Sequence, residues 1–195
     1  MSFRKEKKFR LTKSDMQFLK KSLLLKGMTE LYQKRKVNSN YFDTFEMRMF
    51  HDSDEGILPR KKVRIRSYND QNKFTKELKI TSEEGRYKKS STILSTSSCL
   101  NDFKKLLDKS YGVLTPSLFV SYYREYYSFY NLRITFDSSI KYKSLRVKLP
   151  LEIRDPECVM EIKTPINVDD DFISKVISMP SSRFSKYCRG IIMTN

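Results

Sequence analysis

A period-two alternation of charged and apolar residues recurs along this 195-residue chain and narrows its fold more than any other feature. Side chains two apart on a strand share a face. Near the start, Arg4, Glu6, Lys8 and Arg10 fall opposite Phe3, Phe9 and Leu11. Further along, Lys62, Arg64 and Arg66 oppose Val63 and Ile65, while Glu77 and Lys79 oppose Phe74, Leu78 and Ile80. The pattern returns with Arg133, Thr135 and Asp137 against Leu132, Ile134 and Phe136, then with Glu161 and Lys163 against Met160 and Ile162. The spacing predicts strands at Phe3–Leu11, Val37–Asp43, Lys61–Tyr68, Lys73–Thr81, Leu118–Ser128, Tyr130–Asp137, Tyr142–Leu149 and Glu157–Thr164.

Three segments carry the 3.6-residue period of amphipathic helices instead. Ser14–Lys26 places Met16, Leu19 and Leu23 on one face behind the N-cap candidates Thr12 and Ser14. Ser98–Tyr111 aligns Leu100, Phe103, Leu106, Leu107 and Tyr111, with Gly112 as a stop. A shorter helix starts after Asp169 to Asp171 and carries Phe172, Ile173, Val176 and Ile177 before Pro180. Turns are expected at Asn69–Asn72 and at Glu83–Gly85, which leads into Tyr87, Lys88 and Lys89. No internal repeat, low-complexity tract or Gly/Pro-rich linker interrupts residues 1–195, so the chain reads as one domain of β-dominated α+β class.

An antiparallel sheet with one polar face ordinarily wets that face. Here the polar faces favour Arg and the step Glu-x-Lys, which recurs at Glu6/Lys8, Glu77/Lys79 and Glu161/Lys163. The apolar faces match the apolar stripes of the helices, so the helices are expected outside the sheet. If the sheet closes on itself, the charges line an interior. Lys and Arg total 39 against 23 Asp and Glu, a formal charge of +16, which attracts an anionic partner. Guanidinium groups fork onto phosphate oxygens. Hard divalent ions take oxygen from one or two carboxylates together with phosphate, which gives carboxylates a use among those cations.

These residues resemble the VTC domain, the polyphosphate polymerase branch of the triphosphate tunnel metalloenzymes (the CYTH-like superfamily). The resemblance runs in order through Arg4–Leu11, Asn38–Thr44, Arg60–Tyr68, Lys76–Ile80, Ser121–Tyr127, Leu132–Ile140, Val159–Lys163 and Ser182–Gly190. It implies a closed eight-stranded antiparallel tunnel with polar walls and a few helices packed outside. It also implies transfer of the γ-phosphoryl group of a nucleoside triphosphate such as ATP onto a polyphosphate chain, with Mn²⁺ or Mg²⁺. Carried over by position, Lys8, Arg64, Arg66, Lys79, Arg124, Arg133, Arg183 and Lys186 would bind phosphate, with one of Lys88 and Lys89. Arg133, Arg124, Lys79 and Glu161 would carry catalysis; Glu161, with Glu6 as the weaker candidate, would hold the metal.

Alternatives within the same fold are a triphosphatase and a non-catalytic polyphosphate- or nucleotide-binding module. A nucleic-acid-binding role ranks last, because no P-loop, GxGxxG or nucleic-acid motif occurs. One histidine, His51, and three scattered cysteines, Cys99, Cys158 and Cys188, argue against zinc and for free thiols in a reducing compartment. With no apolar leader or membrane-length run the chain reads as soluble, the scattered thiols point to the cytoplasm, and the resemblance together with the small size implies a compact standalone version, as in bacteria. His51 reads as a surface-loop residue. Asp137 is either a second metal ligand or a partner for a neighbouring Arg. The tyrosines Tyr122, Tyr123, Tyr126, Tyr127 and Tyr130 either pack core and rim or stack a base.

Overall fold

The computed structural model describes residues 4–69, 71–93, 99–130, 132–165, 170–177 and 179–195. Phe3, Asp70, Ser98 and Asp169, which the sequence assigns to a strand, a turn and two helix starts, lie outside the described residues, as do the side chains of Arg4 and Phe172. Among the described residues there are ten strands and four α-helices. The order is β1 (Arg4–Leu11), α1 (Lys13–Leu25), β2 (Thr29–Asp43), α2 (Arg48–Glu55), β3 (Arg60–Tyr68), β4 (Phe74–Ser82) and β5 (Gly85–Ile93). It continues with a 3₁₀ turn (Leu100–Asp102), β6 (Leu106–Asp108), β7 (Gly112–Phe129), β8 (Leu132–Ser144), β9 (Glu152–Arg154), β10 (Cys158–Pro165), α3 (Asp170–Val176) and α4 (Lys186–Thr194).

Eight strands form the main hydrogen-bonded path, in the order β1-β10-β8-β7-β2-β3-β4-β5, with β6 on β7 and β9 on β8. The ladders β1–β10, β10–β8, β2–β3, β3–β4, β4–β5, β6–β7 and β8–β9 are all antiparallel, as the alternation implied. Among the described residues β1 and β5 are the two ends of this path, so the ring expected from the sequence is not closed by a ladder between them. No helix among the described residues is long and apolar enough to cross a membrane.

The chain divides into two compact units. In the first (residues 1–35, 123–140 and 155–184), α1 begins with a reciprocal cap. Thr12 Oγ1 accepts from Asp15 N at 3.1 Å, and Asp15 Oδ2 accepts from Thr12 N at 3.3 Å. It ends at Gly27, whose φ of +98° suits glycine, with Met28 N donating to Leu23 O and Gly27 N to Leu24 O. This closure brings Met28 over Leu23, and both enter a core with Met16, Phe9, Leu11, Ile134, Phe136, Met160 and Ile162. Each such side chain contributes about 1.5–3 kcal/mol on burial. α3 adds Ile173 to the same core, with Ile177 just past its end. The helices therefore cover the apolar strand faces and leave the charged faces on the far side.

The second unit (36–122, 141–154 and 185–195) repeats the design. Met49 of α2 packs with Phe42, Val63, Ile65, Phe74, Leu100 and Leu114. α4 departs from the expectation that helices stay outside. Its Tyr187 ring stacks on Tyr41 at 4.9 Å, on the strand face that carries Arg64, and the Tyr187 hydroxyl donates to the buried Asp43 carboxylate. Burial and Asp43 together push the Tyr187 phenol well above its ordinary value, so it remains a donor.

The expected helix at Ser98–Tyr111 is replaced by the 3₁₀ turn and the β6–β7 hairpin. Asp108 explains the change: its Oδ1 accepts from Ser110 N at 2.9 Å and Tyr111 N at 3.2 Å, a local turn that competes with helix formation. Lys61 Nζ holds the same carboxylate at 3.1 Å, and Leu107 is left exposed. The expected strand Tyr142–Leu149 is instead the end of β8 followed by irregular chain; β5 takes its place in the eight-stranded path. His51 lies in α2, edge-on to Phe50, and not in a loop.

Gly190 tests the seating of α4. A Cβ at this position would meet Leu118 Cδ2 at 2.5 Å and Tyr142 Cδ1 at 2.6 Å. Gly190→Ala is expected to destabilise the protein by about 1–3 kcal/mol through overpacking, read as a lower urea midpoint with an unchanged m-value.

Candidate functional site

In the second unit, register sorts the charged face into rows. Tyr41, Arg64, Glu77 and Ser90 stand side by side across β2, β3, β4 and β5, and Ser39, Arg66, Thr75 and Thr92 form the next row. A third row is Lys62, Lys79 and Lys88. Like charges placed directly opposite one another on a sheet are destabilising. That alignment of lysines carries a cost, which the contact of Lys88 with the Glu77 carboxylate offsets in part.

Burial separates this face from a wet one. Arg64 and Arg66 retain 8% and 4% of their exposure, close to the 2% and 0% of Val63 and Ile65 on the apolar face of the same strand. The arginines are held in place: Arg64 Nε donates to Glu77 Oε2 at 2.7 Å, and its Nη1 to the Tyr41 hydroxyl at 2.8 Å. Arg66 donates to Ser39 Oγ at 3.2 Å and to the Tyr122 hydroxyl at 3.1 Å. Lys88 Nζ reaches Glu77 Oε1 at 3.1 Å. Of these rows only Glu77 carries negative charge, against Lys62, Arg64, Arg66, Lys79 and Lys88.

Burial by itself would raise the Glu77 pKa, but Arg64, Arg66 and Lys88 outweigh it and hold the carboxyl far below its ordinary range. The same two arginines overcome burial at Tyr41 and lower its phenol pKa. At Lys62 burial wins and the pKa falls; its Nζ donates to Ser185 Oγ at 2.7 Å and lies 3.6 Å from Cys188 Sγ. Lys186, on α4, sets its ammonium 4.7 Å from the Tyr122 ring centroid.

Among the sequence-predicted phosphate residues, Arg64, Arg66, Lys79 and Lys88 share this face. Lys89, the alternative to Lys88, pairs with Leu78 and projects from the opposite face, because alternation gives adjacent residues opposite sides. The part played by Glu77 was not legible as a site feature. Its place opposite Arg64 is set by the β3–β4 register, which the one-strand pattern does not contain.

The first unit has its own charged rows. Lys8, Glu161 and Thr135 align across β1, β10 and β8, and Glu6, Lys163 and Arg133 align beside them. Lys163 Nζ sits 3.1 Å from Glu161 Oε1 and 3.3 Å from Glu6 Oε1. Lys8 Nζ donates to Phe184 O at 2.8 Å. Arg124 grips the fully buried Asp137 with both prongs, at 2.6 and 2.7 Å. Asp137 thus serves as an arginine partner. Arg183 is exposed, on the segment before α4.

Among the described residues no cluster of three or more His, Cys, Asp or Glu is placed to hold a metal. The donor set nonetheless fits a hard divalent ion of the kind that needs one or two carboxylates and draws its other oxygens from phosphate. Glu6 and Glu161 already share one cation, the Lys163 ammonium. Among the described residues the buried Thr135 Oγ1 beside Glu161 has no hydrogen-bond partner.

The profile of the VTC domain family matches the chain over residues 3–195. No curated protein matches the sequence significantly. Solved structures share the fold. A candidate adenylate cyclase of Bacillus halodurans superposes with a TM-score of 0.60 at 17% identity, covering 94% of each chain. The PH1012 protein of Pyrococcus horikoshii gives 0.58 at 14%, covering 100% of both. A candidate adenylyl cyclase of Hippeastrum, described as having a dominant triphosphatase activity, gives 0.56 at 15%, covering 97% of this chain and 96% of that one.

Glu77 yields a pH test. Its folded pKa lies below the ordinary value of 4.5, so its stabilisation is present above that value and is lost as pH falls toward the depressed one. Glu77→Gln is expected to cost about 3 kcal/mol at neutral pH, since it leaves buried arginines without their counter-charge. The gap from wild type should narrow in urea titrations near about pH 3.5.

Proposed function

Because the chain belongs to the VTC domain family, we propose that it acts on nucleoside triphosphates as a metal-dependent phosphotransferase of polyphosphate polymerase type. The observation that carries this reading is the burial of Arg64 and Arg66 in aligned rows whose described residues set one carboxylate, Glu77, beside five cations. Such a surplus, held in place by Glu77, Tyr41, Ser39 and Tyr122, suits a highly charged anion, because preorganised donors cost little reorganisation when charge must be met.

In this reading Arg64, Arg66, Lys79, Lys88 and Lys186 take phosphate oxygens in the second unit, and Lys8, Arg124, Arg133 and Arg183 do so in the first. Three of the five N–H donors of Arg64 are engaged by Glu77 and Tyr41, so the guanidinium plane is set while two donors stay available among the described residues. Glu161, with Glu6, holds Mn²⁺ or Mg²⁺. When bound, the cation offsets the charge that builds on the phosphate oxygens during transfer. Phosphoryl transfer rests on positioning and charge stabilisation and needs little covalent help from the protein. An acceptor phosphate is already anionic, so no strong general base is required.

A second reading, hydrolysis of the triphosphate by water, is favoured by the triphosphatase activity of the Hippeastrum protein with the same fold. The two differ only in acceptor, so one assay separates them. Incubated with ATP and Mn²⁺, the protein is expected to yield a ladder of long polyphosphate on a gel; orthophosphate alone would assign hydrolysis. Binding of ATP without any product would reduce the chain to a binding module. Glu161→Gln and Arg133→Met are each expected to lower turnover by roughly 10²-fold or more with an unchanged melting midpoint. A variant that lost its melting transition would report on folding instead.

A further inference from the structure

A cluster of rings and guanidiniums in the first unit adjoins one charged row through Arg133, and its other members, Tyr32, Arg35 and Tyr126, lie outside the phosphate rows. The buried Tyr126 of β7 carries two arginines over its ring, Arg133 at 5.6 Å and Arg35 at 5.7 Å. Arg35 also lies 5.5 Å from the ring centroid of Tyr32. Tyr32 meets Tyr126 edge-on at 5.8 Å and remains 50% exposed. Two other arginines of this unit pair with carboxylates, Arg10 with Glu157 and Arg124 with Asp137. Among the described residues Arg35 and Arg133 contact rings and have no carboxylate partner.

We propose that Tyr32 and Arg35 form a nucleobase subsite, which takes the base of a nucleoside triphosphate while Arg133 faces its phosphates. The proposal rests on the triphosphate reading above and adds to it the nucleoside end of the substrate. Three features carry it. A half-exposed tyrosine beside an uncommitted guanidinium offers a stacking surface together with N–H donors, which matches the π-face and acceptor edge of a base. Inorganic phosphate has no use for the ring. Arg133 stands in register with Lys163 and Glu6, so the ring cluster is continuous with one end of a charged row in the same unit.

A single nucleotide suits the cluster better than a nucleic-acid strand. Single-strand binders stack successive bases on successive rings, whereas here Tyr32 is the exposed ring and Tyr126 is 5% exposed beneath the arginines. Tyr123, which is also exposed, projects from the alternate face of β7 with Lys34 over it.

The test compares ATP with inorganic tripolyphosphate in one buffer by titration calorimetry. Wild type is expected to bind ATP more tightly. Tyr32→Ala and Arg35→Ala should each weaken ATP by about tenfold, the scale of losing one stacked base, and leave tripolyphosphate within about twofold. Tyr32→Phe should retain the preference, since it keeps the ring. The subsite is overturned, with the triphosphate reading left standing, if tripolyphosphate binds as tightly as ATP or if the variants weaken both ligands equally. It is also overturned if a short single-stranded oligonucleotide binds more tightly than ATP and depends on Tyr32. Binding of neither ATP nor tripolyphosphate overturns both readings. Unchanged melting midpoints guard each comparison against misfolding.

Discussion

The charge balance at Glu77 is the constraint on which the second unit depends. Arg64 and Arg66 sit in the middle of β3 and are buried, as are their apolar neighbours Val63 and Ile65. A buried guanidinium without a partner is strongly destabilising, and Glu77 supplies the counter-charge by bonding Arg64 and Lys88 and lying 3.6 Å from Arg66. Tyr41, Ser39 and Tyr122 complete the polar partners. Glu77 is therefore a structural counter-ion that permits a positive surplus without cancelling it.

Both units meet one conflict between stability and binding in the same way. The apolar faces are covered by helices, α1 and α3 in the first unit and α2 in the second, and supply the stabilisation. The charged faces spend part of it. The Lys62, Lys79 and Lys88 row is a repulsive alignment within a ladder that the apolar side holds in register. α4 adds a second device, with Tyr187 stacked on Tyr41 and Ser185, its N-cap, accepting from Lys62, so a helix end helps to fix the basic side chains of the sheet.

The first unit is tuned differently. Its cations and carboxylates alternate more evenly, as in the diagonal Glu6, Lys163 and Glu161, where one ammonium bridges two acids. A basic face suits phosphate oxygens, whereas a mixed face with acids held close together suits a cation as well as an anion. The division follows from cross-strand register: β3 sets arginines against Glu77 of β4, and β10 sets glutamate and lysine against lysine and glutamate of β1.

Much of the strand architecture was legible because period two is a local signal, carried by runs such as Lys62–Arg66 and Leu132–Asp137, and α1 was legible through its caps. The helix expected at Ser98–Tyr111 failed because the apolar spacing did not register how strongly Asp108 would turn its own backbone, nor that Lys61 would meet it. α4 and β5 escaped notice for the opposite reason. Their stability comes from partners distant in sequence, such as Asp43 and Tyr41 for α4 and the β4 ladder for β5. By itself the sequence determined which residues share a face, and hence that charge and apolarity would be segregated. Only the tertiary structure decided which charges meet: that Lys88 and not Lys89 joins Glu77, that Asp137 belongs to Arg124, and that Arg35 and Arg133 flank one tyrosine. Alternation is a property of one strand, whereas register and helix docking are set by contacts between segments far apart in the chain.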